Sequence, residues 1–222
     1  MIRFEDVCYA YDGVPVLLHV DFHVEKGEAV AITGPNGAGK STVLRMVNGL
    51  IYPELGRYCY AGEEITADKM REHRYSKWFH QQVGYIWQNP DSQLFCGSVE
   101  EELAFGPAQM GLTAKEINTR VEDALALLGI ESLRKRAPFT LSGGEKKKVA
   151  IASVLTMNPS VWTLDEPLSA LDGKSRRWLL EFLTALKEAG KTLIFSTHEA
   201  ELMEGLADKE IRMDELHQVQ VL

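Results

Sequence analysis

Glu28-Ala29-Val30-Ala31-Ile32-Thr33-Gly34-Pro35-Asn36-Gly37-Ala38-Gly39-Lys40-Ser41-Thr42 reads as a short apolar strand and a glycine-rich turn. The next segment has Val43, Leu44, Val47 and Leu50 at helical spacing. Strand, loop, helix is the context that G-x-x-x-x-G-K-[ST] requires to work as a phosphate loop. Glycines let backbone N–H groups converge on phosphate oxygens, and the helix start adds positive potential. Lys40 is placed to reach β- and γ-phosphates and Ser41 to ligate Mg²⁺. Residues Gly34, Pro35, Asn36, Gly37, Ala38, Gly39, Lys40, Ser41 and Thr42 are therefore the candidate nucleotide-binding segment.

Further along, the run Val161-Trp162-Thr163-Leu164 ends in Asp165 and Glu166. Two carboxylates at the carboxyl end of a buried strand lie where open α/β sheets bind ligands. Asp165 is expected to hold a hydrated Mg²⁺, and Glu166 to orient and polarise a water for γ-phosphoryl transfer. Thr163 interrupts an otherwise apolar strand.

The rest of the chain fits around these two segments. Ile2, Phe4, Val7 and Tyr9, then Val16, Leu18, Val20, Phe22 and Val24, alternate as two half-buried strands around a turn at Asp12-Gly13. Val83 to Trp87 predicts another strand. Ser98 to Met157 reads as mostly helical, with Ala124, Leu125, Leu127 and Leu128 on one face. A helix over about Lys174 to Ala189 and a strand at Thr192-Leu193-Ile194-Phe195 restore the alternation of a parallel sheet covered by helices. The expected architecture is α/β, one domain over residues 1–222. Within it a P-loop NTPase, RecA-like core (1–88 and 159–222) carries an amino-terminal antiparallel β subdomain and an inserted α-helical subdomain (89–158).

Bulk properties narrow the partners. A formal charge of -8 and pI near 5.3 argue against a broad basic nucleic-acid surface, so no nucleic acid is expected. Cys8, Cys59 and Cys96 are odd in number and far apart, unlike a zinc site or a disulfide framework, and suit a reducing cytosol. No apolar stretch approaches the roughly 20 residues needed to span a bilayer. Met1 to Tyr11 mixes Arg3, Glu5 and Asp6 with apolar residues, unlike a signal sequence. Any membrane role is expected to come through a partner.

A phosphate loop alone leaves kinases, GTPases and motors open. Leu141-Ser142-Gly143-Gly144-Glu145 resembles the signature of ATP-binding-cassette (ABC) ATPases. The resemblance implies that Ser142, Gly143, Gly144 and Glu145 act in trans, on the γ-phosphate held by a second ABC ATPase subunit in a homo- or heterodimer. Other elements follow in the family order. Tyr11 matches the aromatic that stacks on adenine, and Gln88 the Q-loop residue that serves catalysis and Mg²⁺ together with Ser41 and Asp165. Ser169-Ala170-Leu171-Asp172 matches the D-loop, and His198 the switch histidine beside Glu166 in catalysis. ATP and Mg²⁺ are the implied cofactors. Glu145 stands where Gln is frequent and Leu168 where Thr or Ser is frequent; neither removes a catalytic group.

Gln88-Asn89-Pro90-Asp91-Ser92-Gln93-Leu94-Phe95, followed by Ser98-Val99-Glu100-Glu101-Glu102-Leu103-Ala104-Phe105-Gly106-Pro107, is similar to the ATPases of energy-coupling-factor and cobalt-type uptake transporters. That likeness implies a peripheral subunit on the cytoplasmic face of the membrane, powering uptake of a vitamin or transition-metal ion. Its partners would be an integral coupling protein and a substrate-binding membrane protein. Leu94 and Phe95 would be the apolar docking anchors beside Glu100, Glu101 and Glu102, or else would seal the helical lobe. Another ABC transporter class and a non-transport ABC ATPase remain as alternatives. Ribosome-associated members usually carry two cassettes in one chain, and chromosome ATPases a long coiled coil; here only about 100 residues without sustained heptads separate Lys40 from Ser142.

Overall fold

A computed structural model describes residues 1–222. The alternating residues at the amino terminus form β1 (Ile2–Tyr11) and β2 (Val14–Val24), paired antiparallel around Asp12-Gly13. Next come β3 (Ala29–Thr33) and α1 (Lys40–Val47), with the phosphate loop between them. β4 (Leu55–Tyr60) and β5 (Glu63–Glu64) then complete a four-stranded sheet in the order β2-β1-β4-β5. α2 (Ala67–Arg71) and α3 (His73–Gln82) lead into β6 (Val83–Ile86).

The helical lobe consists of α4 (Val99–Gln109), α5 (Ala114–Leu128) and α6 (Gly143–Leu155). Short 3-10 turns at Glu131–Leu133 and Pro138–Thr140 separate the last two. β7 (Val161–Leu164), α7 (Gly173–Glu188), β8 (Thr192–Ser196), α8 (Ala200–Leu206), β9 (Lys209–Met213) and β10 (Val219–Val221) follow. The second sheet runs β10-β9-β3-β8-β7-β6, parallel throughout except that β10 is antiparallel to β9.

Its central strands β3, β8 and β7 are buried on both faces, which explains why they read as continuous, mostly apolar runs. Val30, Ile32, Val161 and Ile194 pack with α1 and the antiparallel sheet. Ala29, Ala31, Trp162, Leu164, Leu193 and Phe195 face the opposite core, shared with the helical lobe, α7 and α8. Thr163 is no defect in β7. Its hydroxyl donates to Gly84 O at 2.9 Å and accepts from Asn48 Nδ2 at 2.7 Å, while Asn48 also donates to Leu44 O, so one buried threonine ties β6 and β7 to the end of α1.

Residues 55–82 hold elements that the sequence pattern did not announce. Only Tyr58 and Tyr60 of β4 are buried, and α3 buries Phe79 alone, so neither shows a clean period.

Candidate active site

Parallel strands β3, β8, β7 and β6 are neighbours in that order, and each delivers one part of the site from its carboxyl end. Register keeps them level: Ile32 lies opposite Ser196, Leu164 opposite Phe195, and Ile86 opposite Leu164. Beyond those ends the chain turns into Gly34–Gly39, His198, Asp165-Glu166 and Gln88. Asn36, Gly37, Gly39, Lys40, Ser41, Thr42, Gln88, Asp165, Glu166 and His198 line one recess.

The phosphate loop depends on its glycines at two places. Gly39 caps α1 at φ 106°, and a Cβ there would come 2.7 Å from Val16 O; one at Gly34 would come 2.2 Å from Met213 O. Gly37 adopts φ 86° with open space around its Cα, which leaves its backbone free to approach a phosphate. Lys40 is buried, and its Nζ donates to Gly34 O at 2.8 Å and Pro35 O at 3.0 Å. Pro35 and Ala38 complete the loop, with Ala38 packed into the core beneath it.

Ser196, which the sequence reading missed, organises the carboxylates. Its hydroxyl donates to Asp165 Oδ1 at 2.6 Å and accepts from the Glu166 backbone N–H at 2.8 Å. Asp165 is buried, and Tyr85 Oη lies 3.4 Å from its other oxygen. Burial, reinforced by the Asp165 charge, pushes the Tyr85 phenol well above its ordinary pKa, so it stays a neutral donor. Glu166 occupies a left-handed backbone conformation at φ 43°, a strain of the kind that persists where the surroundings over-determine it. Its Oε2 lies 3.0 Å from His198 Nδ1, and Arg176 anchors the following Glu199 at 2.8 Å.

The oxygen donors suit a hard divalent cation. Ser41, Asp165 and Gln88 supply a hydroxyl, a carboxylate and an amide, and no cluster of three His, Cys, Asp or Glu offers an all-protein cage. Mg²⁺ is commonly held by so few protein groups when nucleotide phosphates provide the rest.

Tyr11 lies outside that lining. It is half-buried, edge-on to Tyr9 at 4.9 Å, and its hydroxyl accepts from Arg45 of α1 at 3.3 Å. The signature residues are elsewhere again. Ser142, Gly143, Gly144 and Glu145 share a different recess with Ala170, Leu171 and Asp172, while Ser169 precedes them on the same loop. Ser142 caps α6: its backbone N–H and hydroxyl both donate to Glu145 Oε2, at 2.8 and 2.7 Å, which holds the Glu145 carboxyl below its usual range. Asp172 caps α7 by accepting from Ser175 N at 2.8 Å. One chain thus presents a phosphate-binding half and a signature half on separate surfaces.

The helix carrying the signature is bolted to the loop carrying Gln88. Lys146 pairs with Asp91 at 2.6 Å. Lys147, only 2% exposed, donates to Trp87 O at 3.2 Å and Gln88 O at 3.1 Å. Burial lowers the Lys147 pKa to about 8, opposed by the Asp165 charge. Gln93 accepts from Trp87 N and donates to Ala150 O. Lys147, Ala150, Ile151 and Val154 form a buried helical stripe, a pattern the sequence reading did not single out.

Past this loop, Phe95 is 68% exposed and stacks edge-to-face on Phe105, which is 44% exposed. Both border a groove walled on the far side by α3, with Tyr85, Trp87 and Met157 also in its lining. The expected neighbours differ from the sequence reading. Leu94 is half-buried against the helical core. Glu102 is buried and accepts from Phe95 N and Cys96 N, and Glu100 is paired with Arg134 and Lys135, so Glu101 alone of the three acids has no such internal link.

The model of the ABC transporter family matches residues 17–169. The chain belongs to the ABC transporter family. It is 44% identical to the energy-coupling factor transporter ATP-binding protein EcfA of Methanoculleus marisnigri, over 96% of this chain and 76% of that one. It is 40% identical to the nickel import ATP-binding protein LarO of Lactiplantibacillus plantarum, over 99% and 91%. The structure of cbiO1 from Clostridium perfringens, part of the transporter complex cbiONQ, superposes with a TM-score of 0.85 at 34% identity, covering 99% of this chain and 86% of that one. The ABC protein is thus a transporter ATPase that binds ATP and converts it with water to ADP and phosphate. ABC ATPases dimerise and work with membrane components. No helix of the chain is long and apolar enough to cross a membrane.

Proposed function

We propose that the chain is the ATPase of an energy-coupling-factor-like importer, attached peripherally to the cytoplasmic face of the membrane. It would power uptake of a vitamin or a transition-metal ion through a coupling protein and a substrate-binding membrane protein. The exposed Phe95–Phe105 pair beside the Gln88 loop carries this reading: two aromatic rings at the edge of a groove are the kind of anchor that interfaces use. The EcfA, LarO and cbiO1 likenesses support the same branch.

In this reading two cassettes enclose two ATP molecules. Gly34 to Thr42 of one subunit hold the phosphates, Tyr11 stacks on the base, and the signature loop of the other subunit meets the γ-phosphate at the start of α6. Mg²⁺ bound by Ser41, Asp165 and Gln88 would supply charge neutralisation at the β- and γ-oxygens. Glu166 orients the attacking water, His198 fixes the Glu166 carboxylate, and Ser196 sets the spacing between the two acids. Loss of the γ-phosphate removes the bridge between subunits, and opening is passed to the membrane partner through the groove.

The test is Phe95→Ser, which leaves Leu94 and its packing untouched. It should abolish co-purification with the membrane partner while nucleotide binding by the isolated chain stays within about twofold, since the phosphate ligands lie elsewhere. A folded variant that still captures the partner at the parental level would defeat the docking assignment and the importer branch with it.

A further inference from the structure

Lys147 is a buried side chain outside the lining of the recess that holds Lys40 and Asp165, set on the helix whose amino terminus is the signature. Burying a charge without a carboxylate partner is costly, and a neutral side chain of similar length would fit the stripe formed with Ala150, Ile151 and Val154 at lower cost. What Lys147 does instead is hold the carbonyls of Trp87 and Gln88. The Lys146–Asp91 pair and the Gln93 bonds to Trp87 N and Ala150 O secure the same loop at its other points. Residues 87–93 are therefore attached to α6 along their length, and a displacement of α6 carries the Gln88 backbone with it.

We propose that Lys147 is a positioning residue that sets Gln88 relative to Asp165 and Glu166 according to where the signature helix stands. The proposal rests on the ATPase cycle described above. Engagement of Ser142 by the partner subunit's nucleotide would fix α6, and Lys147 would then bring Gln88 into register with its own subunit's site. Each site would thus sense the other's occupancy through one buried side chain, a two-position element that both sites bias.

A double-mutant cycle tests this in the membrane complex captured with the chain, reading kcat, KM for ATP and the Mg²⁺ concentration at half-maximal rate. Lys147→Met should fold, bind ATP as the parent does and melt no lower. It should lower kcat about tenfold and raise the Mg²⁺ requirement, because only the aligned site is affected. Lys147→Gln, which keeps an N–H donor, should recover part of the rate. In a Gln88→Ala background Lys147→Met should cost nothing further, since coupled residues are non-additive. Additive losses, or a kcat for Lys147→Met within about twofold of the parent, would overturn the proposal. Should Lys147→Met fail to fold, Lys147→Leu, which likewise lacks a donor, replaces it in the cycle under the same criteria. Hydrolysis insensitive to Glu166→Gln would instead remove the assignment of the site itself, so the two failures are distinguishable.

Discussion

Glu166 is positioned three times over: its backbone N–H by Ser196, its φ of 43° by the turn after β7, and its carboxylate by His198. Glu166→Gln preserves size and the backbone bond but removes the charge proposed to polarise the attacking water. Turnover should fall at least about 100-fold, roughly 3 kcal/mol of transition-state stabilisation, while ATP binding persists and a closed ATP-bound dimer accumulates. Steady-state rates and gel filtration with ATP check this; turnover within about threefold of the parent would remove Glu166 from its role. The meeting of Lys40, Asp165 and Glu166 in one recess could be expected from strand-end and loop spacing, and that of His198 from the family likeness alone. Ser196 and Lys147 were not legible in the sequence, because what they touch is set by strand register and by the packing of α6 on the Gln88 loop.

Thr163 gives the clearest energetic case among the elements. Thr163→Val keeps the shape of β7 but leaves Asn48 Nδ2 without one acceptor and removes the hydroxyl bond to Gly84 O in a region closed to water. Such a change should cost about 1–3 kcal/mol, read as a lower denaturation midpoint with unchanged slope. A midpoint equal to the parent's would show that the link between β7 and α1 contributes nothing. Strands β3, β7 and β8 could be read because both faces are buried and their apolar runs are continuous. The 55–82 region could not: its strands bury two tyrosines and its helices one phenylalanine, so tertiary contacts rather than local pattern decide their structure.

The molecule as a whole presents two separate recesses. Lys40, Gln88, Asp165, Glu166 and His198 share one recess, and Ser142 to Glu145 share another with the D-loop. That separation was implied by the family likeness and is a consequence of the fold: the signature sits on the helical lobe, the phosphate loop on the parallel sheet. The groove behind Phe95 was less legible, since the same apolar residues serve packing or docking, and only their exposure divides Leu94 from Phe95. The proposed composite arrangement has each working site take one half from each of two chains. It is tested most directly with two differently tagged copies, one Lys40→Ala and one Ser142→Arg, each inactive alone, captured in sequence so that only mixed dimers remain. Such a dimer keeps one composite site, built from the phosphate loop of the Ser142→Arg copy and the signature of the Lys40→Ala copy, and should hydrolyse ATP well above either variant alone, at about half the parental rate without coupling between sites and about one-twentieth with the tenfold coupling proposed for Lys147. Mixed dimers as inactive as either parent variant would contradict the composite site.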